Sequence, residues 1–170
     1  MKVISILLTL GVVMAAAADK TMAPAKVELK NAKGEVVGKF KATSVSAGGL
    51  KLTGSVMKMP AGEHAIHVHT TGKCDPPDFA SAGPHFNPES RTHGLASSGG
   101  HAGDLGNFTV AANGKAKVNL LMSAVTLGDG ANSVFKDGGT ALVVHEKADD
   151  MKTDPAGAAG SRLACGIFVH

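Results

Sequence analysis

"KVELKNAKGEVVGKFKATSVSAGGLKLTGSV" runs from Lys26 to Val56, and its rhythm has a period of two. In KVELK (26–30), EVVGKFKAT (35–43) and GLKLTGSVMKM (49–59), apolar residues alternate with lysines and other polar residues, the pattern of strands that bury one face. NAKG and SAGG between these runs are turn-forming. After PAGE the pattern resumes in AIHVHT (65–70), then in NFTVAA, the turn NGK, AKVNLLM, TALVVHE and LACGIFV. Helical periodicity of useful length is missing beyond the first 18 residues, and glycine accounts for 22 positions. The expected fold is all-β, a Greek-key barrel or sandwich of about eight antiparallel strands.

The chain has 170 residues, 44% of them hydrophobic, which suits one globular domain with a core large enough to fold alone. Its 17 basic and 14 acidic residues leave a formal charge of +3 spread along the sequence, with no basic run of the kind that grips nucleic acid. Tyr and Trp are absent and Phe occurs only six times, so stacking platforms for single-stranded nucleic acid are missing too. A small anionic ligand remains compatible.

Residues 1–18 read as a secretory signal peptide. Lys2 supplies the positive end, Val3 to Met14 an apolar stretch too short to cross a bilayer, and Ala15 to Ala18 a small-residue cleavage site. The mature domain is then expected over 19–170, exported, soluble and periplasmic, with no lipid-accepting Cys at its start and no membrane anchor. Cys74 and Cys165 are the two cysteines, and an oxidising compartment would join them; two unrelated buried thiols are the alternative.

Segments 71–104 and 147–161 refuse the strand pattern. Both are rich in Gly, Pro, Ser, Asp and His, and long loops in a compact domain are functional or disordered. Between His64 and Asp104 lie six of the eight histidines. His67 and His69, two apart in a strand, project from the same face. His85, His93, His101 and Asp104 follow at spacings of eight, eight and three, a set able to close a tetrahedral zinc site. His145, in VVHE, is the remaining candidate for a first metal, for which an imidazole-rich site favours copper over calcium or magnesium. By count, His85 could serve either ion or both.

HVH, SAGPHFNP, HAGDLGN, VVHEKADD and GSRLACG, in this order, resemble copper/zinc superoxide dismutase of the bacterial exported type, a resemblance that covers about Val27 to Cys165. It implies one copper ion on His67, His69, His85 and His145 and one zinc ion on His85, His93, His101 and Asp104, with His85 bridging. It also implies that Asp149 accepts hydrogen bonds from one imidazole of each set, and that Arg162 holds an anion beside the copper. The implied activity is conversion of two superoxide radicals to O2 and H2O2 by Cu(II)/Cu(I) cycling, with His85 as proton carrier. A non-catalytic exported copper and zinc carrier on the same scaffold is the alternative, against which the retention of His85 and Arg162 argues.

The chain departs from the animal members in two places. Cys74 follows His69 by only five residues, and DDMKTDPAGAAGSR is shorter than the loop that steers superoxide in the animal enzymes, so Lys152 reads as solvated. A homodimer is left open, with its face undetermined. His64 points away from the His67/His69 pair and is expected to pack or hydrogen-bond, and His170 to be exposed.

Overall fold

The computed structural model describes residues 22–170, so the signal-peptide reading of residues 1–18 lies outside the described residues. Eight strands follow one another: β1 (Ala25–Asn31), β2 (Val36–Ser44), β3 (Leu50–Val56), β4 (Gly62–His69), β5 (Asp104–Val110), β6 (Ala116–Met122), β7 (Ala141–His145) and β8 (Arg162–Ile167). All ladders are antiparallel, in the order β5-β4-β7-β8-β1-β2-β3-β6. The edge strands β5 and β6 approach each other, so the sheet curls into a nearly closed Greek-key barrel. Among the described residues helix is confined to three short 3-10 turns, and no helix is long and apolar enough to cross a membrane.

The period-two residues fill the barrel. Val27 and Leu29 of β1, Phe40 and Ala42 of β2, Leu50 and Leu52 of β3, and Val118 and Met122 of β6 are all buried in one core. On these strands the intervening side chains face outward and are exposed or half-buried. Strands β4 and β7 behave differently, since both of their faces are covered. Ile66, Val68, Leu142 and Val144 enter the barrel core, while the alternate residues point outward beneath the two long loops.

Those loops are the connections β4–β5 (70–103) and β7–β8 (146–161), close to the segments singled out in the sequence. A second, smaller core of Phe79, Ala82, Ala141, Val143 and Cys165 lies under the first of them. The Cys74–Cys165 disulfide, spanning 91 residues, ties that loop to β8. Asp104, read from sequence as the last loop residue, is instead the first residue of β5, which carries it into the barrel wall.

Candidate metal centre

His67 and His69 face outward from β4, and backbone pairing delivers a third imidazole to them. Thr70 N donates to Pro84 O, Phe86 N to Val68 O, and Val68 N to Gly103 O, so residues 84–86 run beside β4 and His85 lies across from His69. Gly103 is required at this crossing, because a Cβ there would collide with Val68 O. His145 arrives from β7 next to a register shift at Val144/His145, a bulge of the kind that re-aims a side chain.

Two overlapping groups result, and both are buried. His67, His69, His85 and His145 form one; His85, His93, His101 and Asp104 form the other, and within each the ligand atoms lie within 4.8 Å of one another. His85 belongs to both. Its Nδ1 is 2.7 Å from Asp104 Oδ1, whereas its Nε2 is buried with no protein partner.

In four further rings the hydrogen bonds anchor one nitrogen and thereby choose the tautomer. His67 Nε2 donates to Asp149 Oδ2 at 2.7 Å and His93 Nε2 to Asp149 Oδ1 at 2.8 Å. His69 Nδ1 donates to Gly83 O at 2.8 Å, and His145 Nδ1 approaches Gly160 O at 3.4 Å. The other nitrogens are then bare lone pairs: the Nε2 atoms of His69 and His145 face each other at 3.3 Å, and Nδ1 of His67 and His93 have no hydrogen-bond partner, while Nδ1 of His93 and of His101 stand 3.0 and 3.3 Å from the Asp104 carboxylate. Buried acceptors turned on one another repel unless a cation sits between them. About 3.3 Å is also the edge of a tetrahedron with metal–nitrogen bonds of about 2.0 Å. These residues fit a pair of metal ions.

Titration favours the same state. Burial pushes His85 down to about 4, with the Asp104 carboxylate opposing it, and pushes His145 down to about 3, helped by repulsion from His67. Burial, with repulsion from His85, also holds His69 well below the ordinary imidazole range. These three rings are neutral at pH 7, as metal ligation requires. For Asp149, burial acts to raise the carboxyl, but hydrogen bonds from His67 and His93 outweigh it and hold the group below its usual value. The same balance, with His85 and the Gly94 amide as donors, lowers Asp104.

Arg162, half-buried on β8, donates from Nη1 to Phe79 O at 2.6 Å and from Nη2 to Gly83 O at 2.7 Å. Gly83 O therefore serves both Arg162 and His69. With Pro77, Asp78, Ala80, Gly160 and Ser161, Arg162 lines an open cavity of about 490 Å³. Two partners escaped the sequence reading. Asn107 exchanges hydrogen bonds with the Asp149 backbone, Asn107 Nδ2 donating to Asp149 O at 2.9 Å and Asp149 N to Asn107 Oδ1 at 2.8 Å. Gly157, at φ +61°, leaves room for the Asp149 carboxylate that a Cβ would occupy. Asn107 lies in HAGDLGN, but only its contact across the barrel wall reveals the role.

The remaining candidates lie apart. His64 is buried, its Nδ1 2.9 Å from His145 O and its Nε2 3.0 Å from Pro60 O, and it belongs to neither ligand group. His170 is exposed and stacks on Phe135, and Lys152 is exposed.

Comparison with known proteins agrees with this geometry. The sequence profile of copper/zinc superoxide dismutase (SODC) matches residues 33–168. Two relatives from Aquifex aeolicus, both named copper-zinc superoxide dismutase, are 49% identical over 143 residues and 46% identical over 146. The first match covers 82% of this chain and 84% of the relative, the second 85% of each. The crystal structure of a superoxide dismutase-like protein from Bacillus subtilis superposes with a TM-score of 0.80 at 35% identity, covering 85% of this chain and 97% of that one. The barrel, the profile match and relatives near half identity lead to one conclusion: the chain belongs to the copper/zinc superoxide dismutase family.

Proposed function

We propose that this chain dismutates superoxide with copper held by His67, His69, His85 and His145 and zinc held by His85, His93, His101 and Asp104. The activity and the cofactors, one copper and one zinc ion, are those of its family. What carries the assignment of ions is the donor chemistry. Four imidazoles suit copper, and three imidazoles with a carboxylate suit a closed zinc site. Bound copper supplies one-electron redox chemistry, and bound zinc supplies fixed positive charge and a shaped loop.

The chain's own residues do the rest. Two of the five N–H groups of Arg162 are spent on Phe79 O and Gly83 O, which leaves the guanidinium locked in place with donors free for an anion. Superoxide, small and negative, is drawn to that charge at the mouth of the cavity. His85 Nε2, buried and without a protein partner, is the atom that would take up a proton when it is not holding metal and pass it to substrate; one superoxide gives up its electron and leaves as O2, and the one that gains an electron takes two protons and leaves as H2O2. Asp149 keeps His67 and His93 in the tautomers that leave their Nδ1 atoms free. The signal-like residues 1–18 support export and a periplasmic site of action, and the mature domain then begins near residue 19.

The test is His85→Ala in protein loaded with both metals. Zinc affinity and the copper visible spectrum should change together, and the dismutation rate should fall at least about a hundredfold. A change confined to one metal would remove the bridging role.

A further inference from the structure

Charge in this molecule is sorted by strand. Strands β1, β2, β3 and β6 carry six lysines, Lys26, Lys30, Lys39, Lys41, Lys51 and Lys117, against one acidic residue, Glu28. Strands β4, β5, β7 and β8 carry no lysine. The sheet order sets β1, β2, β3 and β6 side by side, away from β4 and β7, which bear His67, His69 and His145.

All six lysines are exposed, while Val27, Leu29, Phe40, Leu52 and Val118 beside them in sequence are buried. The period-two backbone therefore turns the lysines out from one face. Register then gathers them. Lys26 stands directly opposite Lys41; Lys41 faces Thr53, two residues from Lys51; and Ser55 separates Lys39 from Lys117. Glu28 pairs with Lys30 at 3.9 Å and Lys39 at 3.5 Å. Among the described residues, Lys26, Lys41, Lys51 and Lys117 have no acidic partner in ion-pair reach.

Like charges placed directly across a ladder destabilise it, and interspersed signs would serve solubility equally well. The arrangement therefore works against the fold. Leu121, 59% exposed, lies opposite Lys51 on this same face. The face carries no aromatic residue for stacking bases and no arginine for bidentate phosphate recognition. Lysines are point charges on flexible stems, suited to a broad array of mobile headgroups with an apolar layer beneath for a leucine.

We propose that the outer face of β1, β2, β3 and β6 docks this chain on an anionic phospholipid surface, leaving the metal centre open to solution. The surface does not depend on which metals are bound.

The experiment is co-sedimentation of the metal-loaded chain with vesicles of phosphatidylcholine alone or mixed with phosphatidylglycerol. The chain should pellet with the mixed vesicles only, and salt should release it. Lys41→Glu, Lys51→Glu and Lys117→Glu combined should lower partitioning about a hundredfold or more, with dismutation rate and melting temperature retained. The same charge change at Lys73, Lys136 and Lys152, exposed residues off this face, should lower it far less. Equal losses in the two triple variants, or equal pelleting with uncharged vesicles, would overturn the proposal. Binding to soluble dextran sulfate without vesicle binding would overturn it as well, in favour of a soluble polyanion.

Discussion

Asn107 and Asp149 hold one another through a reciprocal pair of hydrogen bonds, at 2.9 and 2.8 Å, that joins β5 to the start of the β7–β8 loop. The pair fixes the backbone of the residue whose two carboxylate oxygens orient His67 and His93. Asn107→Ala frees that backbone without touching a ligand. Metal affinity should fall about tenfold to a hundredfold, in line with the loss of other outer partners of metal ligands. Competition with a chelator measures it, and unchanged affinity would show that the loop is held by other means.

Gly157 faces the same carboxylate from the far side. Ala at this position suffers twice, from the left-handed backbone at φ +61° and from collision with Asp149 and His93 Nε2. We expect Gly157→Ala to cost about 1–3 kcal/mol and to weaken zinc binding. Gly34→Ala, at φ +79° in open space, shares only the backbone strain and should leave zinc binding unaltered. Thermal unfolding with and without zinc separates the two.

Arg162 is held by two carbonyls in a fork, and a lysine cannot reproduce the fork. Arg162→Lys should keep the charge and the metal content but lower the dismutation rate several-fold at low salt, and Arg162→Ala at least about tenfold. The wild-type rate should also fall with ionic strength more steeply than that of the Ala variant. Identical salt dependence would remove the guanidinium from substrate attraction.

The metal-free chain should lose stability in acid through a defined window. His85 and His145 are lowered to about 4 and about 3 in the folded state, against about 6.5 when unfolded. Above pH 6.5 both states are neutral and nothing changes. As pH falls below 6.5 the unfolded chain takes up protons that the folded chain refuses. Stability then drops by up to about 1.4 kcal/mol per pH unit for each ring until the folded values are reached. Asp104 and Asp149, lowered in the fold, extend the loss in the same direction below pH 4. Urea titrations from about pH 7.5 down to about pH 4.5 should show a midpoint that falls once the pH drops below about 6.5, and a flat midpoint would contradict buried neutral rings.

Reduction of the Cys74–Cys165 bridge should act on both stability and rate. It closes a long loop, so its loss should cost about 2–5 kcal/mol. The freed segment contains Phe79 and Gly83, whose carbonyls hold Arg162. Activity should therefore decline in Cys74→Ser before the chain unfolds, as monitored by rate and circular dichroism on the same sample.

Alternation in KVELK, KFKAT and KLTGS was enough to read the barrel strands, because a strand's side chains take sides by local backbone geometry alone. The HVH pair was legible for the same reason. Even the ordered motifs around His85, His93, His101, His145 and Arg162 are local signals, strong through their number. What no local pattern carries is closure across the chain: Asn107 meeting Asp149, Gly157 making room beside it, Gly83 O shared by Arg162 and His69, and Lys26 set against Lys41. In sequence those lysines looked dispersed and the net charge modest. The sequence by itself thus determined which residues could lie inside, which could bind metal, and which family the chain resembles. The ladder registers, the bulges and the disulfide decided which of them meet, because contact between residues 42, 83 or 91 positions apart exists only once the barrel has paid the entropy of closing the loops between them.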